Sequence, residues 1–279
     1  MFRRPDRIIV PQYAGPAGVS LLAAAELLGE GKRAIAAQIV ALAVRKALAI
    51  APLDADRKKK TGFRLTLISL AGLAPDELDT MQAMFPRGVP GETIDIRPGR
   101  NQALGRRLRT PHGRAVARLV VAGGARERTW VERTFSRTNA QPVIPLPAAF
   151  PVIDHLWGIR DYIALAEKDR LAFLQSPTGA LLRQDIALDA QVLLLNEKLL
   201  PYAVLFGLEK EWVRELGVQV QNLDADSLND LDLIGDMVFF LADPATLDAL
   251  FLLGDLAHVL FGVGRVGFGI VRFLVSLSN

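Results

Sequence analysis

Residues 32–70 read KRAIAAQIVALAVRKALAIAPLDADRKKKTGFRLTLISL, and in this stretch the hydrophobic pattern changes from a helical to a strand period. Within residues 32–50, isoleucine and leucine recur at i, i+4 and i+7, which predicts a helix with one apolar face. Residues 62–69 alternate apolar and polar side chains, with one apolar residue at an outward position, and predict a strand. The charged run at 54–60 predicts the turn between these two elements.

The flanking segments extend this order on both sides. Residues 20–28 predict a short helix that glycine ends, and residues 75–85 predict a helix because a proline and two acids open them. Residues 93–96 predict a short strand. If Leu48–Ala51 is the strand before the turn, the order is winged-helix-like, with the lysine run at the tip of the wing. A winged helix has a helix-turn-helix before its wing, and residues 32–50 show no separate turn.

Composition divides the chain into five predicted segments. Residues 1–16 contain three prolines and predict an extended arm, and residues 17–96 form the winged-helix-like domain. Residues 97–150 predict one or two arginine-rich helices followed by a proline-rich linker. Residues 151–222 predict a helical domain, and residues 223–279 predict an acidic and then apolar helical tail. The predicted fold class is therefore mainly α, within the α+β class, with a winged-helix-like N-terminal unit and a helical C-terminal domain.

Three helices are predicted in the helical domain. Residues 152–176 carry apolar side chains at helical spacing, and residues 184–200 predict a second helix. Because proline favours the first turn of a helix, Pro201 predicts the start of a third helix. That helix is expected to run to about Leu216 and to end at Gly217.

Charge is distributed unevenly along the chain. The whole protein has a net charge of +3, and residues 1–96 alone have the same net charge. Residues 97–137 contain 11 arginines and two glutamates, a net charge of +9, whereas residues 138–279 have a net charge of −9. Two interpretations follow: the two halves neutralise each other, or the basic part meets anionic partners such as phosphate backbones or lipid headgroups.

The basic side chains around the predicted wing are candidate contacts for an anion or a nucleic acid. Phosphate contacts need positive charge but no fixed spacing, so such a cluster also arises as a solvated turn. An acidic protein or a lipid surface is a third interpretation. The candidates are Arg45, Lys46, Arg57, Lys58, Lys59, Lys60 and Arg64.

Several classes of chemistry lack their residues. The absence of cysteine excludes a disulfide scaffold, a thiolate metal site and a cysteine nucleophile. His112, His155 and His258 lie in separate segments without ligand spacing, and we expect them to cap helices or to be partly exposed. A G-x-G-x-x-G pattern at 262–267 lacks the strand–turn–helix context of a dinucleotide site. The sequence predicts no metal and no cofactor, and no recognised catalytic motif indicates an enzyme.

The C-terminal tail is unusually apolar. Its most hydrophobic part, residues 246–277, contains charged residues that disfavour a membrane span, and the first seven residues do not resemble a secretory signal. So many apolar side chains must pack on the chain itself, on a partner or second copy, or on a membrane surface. The candidate apolar docking residues are Phe251, Leu256, Phe261, Phe268 and Phe273.

Two segments of the predicted helical domain carry a shared motif. Residues 157–174 read WGIRDYIALAEKDRLAFL, and residues 196–216 read NEKLLPYAVLFGLEKEWVREL. Their combination resembles the cytoplasmic C-terminal portion of the bacterial predicted-membrane-protein family DUF 2207. Residues 41–50, 63–70 and 77–85 resemble the winged-helix-like cytoplasmic segment of that family. The matching motif residues are Glu167, Lys168, Asp169, Arg170, Leu171, Leu200, Pro201, Tyr202, Ala203, Gly207 and Trp212.

The chain departs from that family in its membrane parts. The family has an exported domain and apolar spans, whereas this chain begins at the cytoplasmic part and has the arginine-rich segment where spans are expected. The resemblance therefore implies a cytoplasmic relative, and it leaves peripheral contact at the inner membrane face open. It carries over no activity because the family has none established. Because Glu167 precedes Arg170 by three residues, the two are expected to pair on a helix surface.

The sequence thus predicts a non-catalytic interaction or scaffold protein. Its expected partner is another protein or a second copy, and peripheral membrane contact remains open. The alternative is a nucleic-acid-binding regulator that uses the winged-helix-like unit and the basic segment. Salt separates the two, because nucleic-acid binding weakens steeply as salt rises.

Overall fold

The computed structural model describes residues 14–53, 62–97, 101–129, 132, 142–174 and 198–209 of the 279-residue chain. These residues form a mixed helix-and-strand structure of the α+β class. The helices are α1 (Leu21–Leu28), α2 (Gly31–Val44), α3 (Pro75–Met84), α4 (Gln102–Val121), α5 (Phe150–Leu174) and α6 (198–206). The strands are β1 (Leu48–Pro52), β2 (Phe63–Leu67), β3 (Thr93–Ile96), β4 (Ala125–Glu127) and β5 (Val143–Pro145).

The first three strands form an antiparallel sheet in the order β1-β2-β3. Leu65 at the centre of β2 lies opposite Ile50 of β1 and Ile94 of β3. The side chains of β2 alternate between buried and more exposed positions, as the pattern of residues 62–69 predicts. The strands predicted at 48–51 and 93–96 are confirmed as well. The charged connection at 54–61, with the lysine run, lies outside the described residues.

In the described residues, a second sheet pairs β4 and β5 antiparallel, with Arg126 opposite Ile144. The sequence predicts a basic helix and a linker for this region, so the two strands are a correction. Each strand has three residues, which is too short for an alternating pattern to be recognised. A single turn of 3₁₀ helix at Pro147–Ala149 then leads directly into α5.

The apolar core joins elements from the whole described part of the chain. Every residue of α1 is buried, as expected for a helix that is hydrophobic on all sides. This helix packs against α2, α4, α5 and β5. Buried side chains of the first sheet, α3 and α6 belong to the same cluster. The predicted segment boundaries stay predictions, but the described parts of residues 17–96, 97–150 and 151–222 share one core.

The ends of α2 and α6 differ from the sequence prediction. The helix predicted over 32–50 ends at Val44, because Lys46 adopts a left-handed conformation (φ 56°) and turns the chain into β1. Pro201 does not start a helix, because residues 198–200 before it are already helical.

Gly207 ends α6, and the predicted continuation of this helix to about residue 216 is wrong. Its φ of 74° is left-handed. The Gly207 N–H donates to the Val204 carbonyl (3.2 Å) and the Leu208 N–H donates to the Ala203 carbonyl (2.9 Å), which is the Schellman pattern of a helix end. Within the described residues, no helix combines the length and hydrophobicity that crossing a membrane requires.

Candidate functional site

The predicted anion contacts fall into two groups. Four of them, Arg57 to Lys60, lie outside the described residues. Arg45, Lys46 and Arg64 are described, and all three are exposed. Their neighbours decide whether their charge is available to a partner.

The Arg45 guanidinium is bound by a carboxylate and by a backbone carbonyl. Its guanidinium donates to both carboxylate oxygens of Glu77 at 3.0 and 2.8 Å and to the Gly72 carbonyl at 2.6 Å. The same Glu77 accepts a hydrogen bond from the Ala74 N–H at 2.8 Å, one position before α3 begins. Arg45 therefore joins the end of α2 to the start of α3, and its charge is compensated within the chain.

Arg64 is compensated across the sheet. It lies opposite Asp95 and donates two hydrogen bonds to that carboxylate, at 2.7 and 3.1 Å. The hydrogen bond from Arg64 lowers the pKa of Asp95, as a bidentate guanidinium does for a carboxylate. Among the described members of this candidate set, only Lys46 shows no partner in the described residues.

The arginines of α4 show the same internal compensation over its C-terminal half. Arg114 donates to Asp79 at 2.7 Å, and Arg118 donates to the other oxygen of Asp79 at 2.6 Å and also to Asp76. Burial raises the pKa of the Asp79 carboxyl group. The hydrogen bonds from the two arginines outweigh this effect, and the pKa is lowered. These contacts fix α3 along α4.

A third compensated arginine of the basic segment lies beyond α4. Arg126 on β4 donates to both oxygens of Glu132, at 2.9 and 2.6 Å. Together with the hydrogen bond from the Thr129 N–H, this contact lowers the pKa of Glu132 to about 2. Within the 97–137 segment, Arg114 and Arg118 are therefore paired with acids of α3, and Arg126 is paired with an acid of the segment itself.

The N-terminal half of α4 is different. Arg106 and Arg107 are exposed, and neither contacts a carboxylate within the part of the chain that the structure describes. Among the described residues, Arg106, Arg107 and Lys46 are the exposed cations without a carboxylate partner that we consider for binding an anion. The arginine density is visible in the sequence, but the sequence does not distinguish paired from unpaired arginines, because the pairing depends on where α3 lies.

A buried polar contact joins α1 to α4. His112 Nε2 lies 2.7 Å from Glu26 Oε1, and the two side chains are 3% and 0% exposed. Glu26 Oε2 and both amide atoms of Gln38 are buried without a hydrogen-bond partner. The expectation that His112 caps a helix or is partly exposed is wrong, since it follows Leu108 by four residues and shares the buried face of α4.

The other two histidines have different outcomes. His155 is partly exposed, as predicted, and its Nε2 lies 2.7 Å from the Ala14 carbonyl oxygen. His258 lies outside the described residues. Helical spacing could have indicated that His112 is buried, whereas nothing local in the sequence indicates that Glu26 is its partner.

The family-like motif residues that are described contribute to packing. Pro201 is buried, and Tyr202 lies against Gly15, where a Cβ would overlap the tyrosine hydroxyl. Burial raises the pKa of Tyr202 to about 12. The backbone alone is described for Glu167, Lys168, Asp169 and Arg170 within α5, so their pairing stays a prediction. Trp212 and the five apolar docking candidates of the tail lie outside the described residues.

Gly207 of the same motif lies against Arg33 of α2. The Arg33 guanidinium donates to the Val204 carbonyl at 3.2 Å and to Glu209 at 3.3 Å, over the end of α6. A Cβ on Gly207 would lie 3.2 Å from that guanidinium. On the other side of α6, the rings of Phe206 and Trp157 are 6.4 Å apart. The motif thus attaches α6 to α2, α5 and residues 14–20.

The described residues contain no group of three or more histidine, cysteine or acidic side chains that could hold a metal ion. By its architecture the chain is an α+β protein whose described polar side chains mainly join its own elements. Comparison with protein families, curated proteins and solved structures finds no match.

Proposed function

We propose that the protein is a non-catalytic interaction or scaffold protein. The observation that carries this proposal is the burial of α2, which directly precedes the β1–β2 hairpin. A recognition helix must present a polar face to the major groove, but ten of the 14 residues of α2 are buried. Arg33 in its first turn is bound to Glu209, and Arg45, one position beyond its end, is bound to Glu77.

The described side chains that could act as an acid and a base support the same proposal. The Glu26–His112 contact is the described pair that most resembles an acid–base site, and both side chains are shielded from solvent. The motif that resembles DUF 2207 contributes Pro201, Tyr202 and Gly207 to internal packing. We propose on this basis that the motif is structural and that the chain is a relative of the cytoplasmic part of that family.

A winged-helix-like unit is the proposed finer description of residues 17–96. Two features support it: α1 and α2 are joined by only two residues, and the β1–β2 hairpin follows them. In this proposal the unit serves as a packing domain rather than as a DNA reader, because α1 and α2 face the core.

Nucleic-acid binding is the second candidate function. It is favoured by Arg106 and Arg107, which are exposed without a carboxylate partner in the described residues, and by the hairpin that leads into the lysine run. It would have to use the hairpin connection and α4, since α2 is buried.

Three full-length proteins separate the two functions. One is unchanged, one carries Phe261→Asp and Phe268→Asp in the tail, and one carries Lys58→Gln, Lys59→Gln and Lys60→Gln. Each is tagged, recovered from the cells that encode it at about 50 mM and about 500 mM salt, and analysed for bound protein, nucleic acid and self-association.

The scaffold proposal expects an association that survives high salt and disappears only in the phenylalanine variant. Recovery of nucleic acid that is lost at high salt and in the lysine variant would instead support the second function. If all three proteins stay monomeric and bind nothing at either salt concentration, the scaffold proposal fails.

A further inference from the structure

The two halves of α4 use their arginines differently. In the C-terminal half, Arg114 and Arg118 hold the carboxylates of Asp76 and Asp79, which are three residues apart on α3. In the N-terminal half, Arg106 and Arg107 are exposed and contact no carboxylate in the described residues. The helix therefore has one arginine surface that contacts an acidic helix and one that contacts no carboxylate among the described residues.

Helical geometry puts Arg107 in the same row as the occupied arginines. Arg114 and Arg118 follow it by seven and eleven residues. At 100° per residue, the side chains of both leave the helix axis in a direction within about 20° of that of Arg107. Arg107 lies about 10 Å along the axis from Arg114, given a rise of 1.5 Å per residue. Arg106 widens the surface towards solvent.

We infer that the α4 surface formed by Arg106 and Arg107 binds an acidic helix of a protein partner. The internal contact with α3 is the example for this binding. There, two carboxylates one helical turn apart accept hydrogen bonds from guanidinium groups of the same row of α4. Bidentate recognition of carboxylates by arginine has this geometry. The inference rests on the proposed function, because it names the chemistry of one partner of a scaffold protein.

The expected contribution of the surface is modest. Exposed ion pairs are individually weak, so loss of two arginine contacts is expected to reduce affinity about fivefold to tenfold. The effect should fall as salt rises, because both side chains are solvent-exposed.

The probe is a fluorescein-labelled, alanine-rich helical peptide of about 20 residues that carries glutamates at i and i+3 and no basic residue. Its binding to the full-length protein is measured by fluorescence anisotropy. The test variant is Arg106→Gln/Arg107→Gln. The matched control is Arg87→Gln/Arg97→Gln, which removes the same charge from two exposed arginines outside α4.

The inference expects about a fivefold to tenfold loss of affinity in the test variant and little change in the control. It is overturned if the peptide does not bind, or if both variants lose affinity equally, since then only net charge matters. It is also overturned if a short DNA duplex binds more tightly than the peptide and is the ligand that the test variant loses. None of these outcomes involves the phenylalanines of the tail, so failure here leaves the test of the proposed function intact.

Discussion

At the scale of single residues, the buried Glu26–His112 contact is the most costly polar feature described. We expect Glu26→Leu or His112→Leu alone to lower the free energy of unfolding by about 3 kcal/mol, because each leaves the other polar group buried without its partner. The double variant should lose less than the sum, since both polar groups are gone. Urea unfolding of the unchanged protein, the two single variants and the double variant gives the coupling energy. Additive losses would show that the two side chains do not interact energetically.

Tyr202 provides a residue-scale prediction for alkaline pH. Its phenol has a pKa of about 12 in the folded protein and near 10 in the unfolded chain. Between these values the unfolded state binds fewer protons than the folded state, so the free energy of unfolding falls as pH rises. Tyr202→Phe removes this loss. Thermal unfolding between pH 9 and pH 12 should therefore show a shallower decline in the variant, and parallel declines would refute the assignment.

The site residues show what sequence reasoning can reach at this scale. Arg45 and Arg64 are recognisable as exposed cations, but their partners Glu77 and Asp95 are 32 and 31 residues away. Charge composition identifies a basic residue, whereas its availability depends on the tertiary fold. The burial of His112 was accessible from helical spacing, but its contact with Glu26, 86 residues earlier, was not.

At the scale of elements, the packing of α3 on α4 depends on Asp79. We expect Asp79→Asn to lower the free energy of unfolding by about 1 kcal/mol at neutral pH, since two partly exposed arginine contacts are weakened. The pKa of Asp79 is lowered in the fold, so this contribution is present above the usual aspartate range and is lost as pH falls through the lowered value.

The difference between Asp79→Asn and the unchanged protein should therefore shrink as pH falls below the usual aspartate value of 3.8. Urea unfolding at neutral and acidic pH measures this change. Asp161→Asn is the control, because the Asp161 carboxylate lies 3.6 Å from the Arg160 guanidinium, farther than Asp79 lies from its arginines. A difference that stays constant with pH would contradict the assignment.

Elements with a strong period or a clear terminus signal were predicted well. The strand pattern of 62–69 and the proline and acids that open α3 correspond to observed elements. The errors lie where a local signal has two meanings. Pro201 is compatible with the first turn as well as the first residue of a helix, and Lys46 ends α2 although left-handed positions favour glycine.

At the scale of the whole molecule, one apolar core joins α6 to the first sheet through the helices between them. We expect Leu205→Ala in α6 and Leu65→Ala in β2 each to cost about 2–5 kcal/mol, because both side chains are fully buried. Both should lower the same thermal transition. Far-UV circular dichroism measures it, and two transitions of which each variant shifts only one would show independent folding units.

The overall charge layout was read correctly from composition, but its consequence required the fold. The net charge of +9 over residues 97–137 left internal neutralisation and anion binding both open. The structure shows neutralisation of Arg114, Arg118 and Arg126 by nearby carboxylates. The α+β class was predicted, whereas the sharing of one core by predicted separate segments is a tertiary property.

The contact of Arg33 with the end of α6 also has a consequence for synthesis in the cell. Arg33 and Glu209 are separated by 176 residues, and a ribosome adds about 5–20 residues per second. The face of α2 that α6 covers is thus made about 10–35 seconds before its cover emerges from the exit tunnel. The Arg33 contact between α2 and α6 can therefore form only late in translation, after the other described elements have been synthesised.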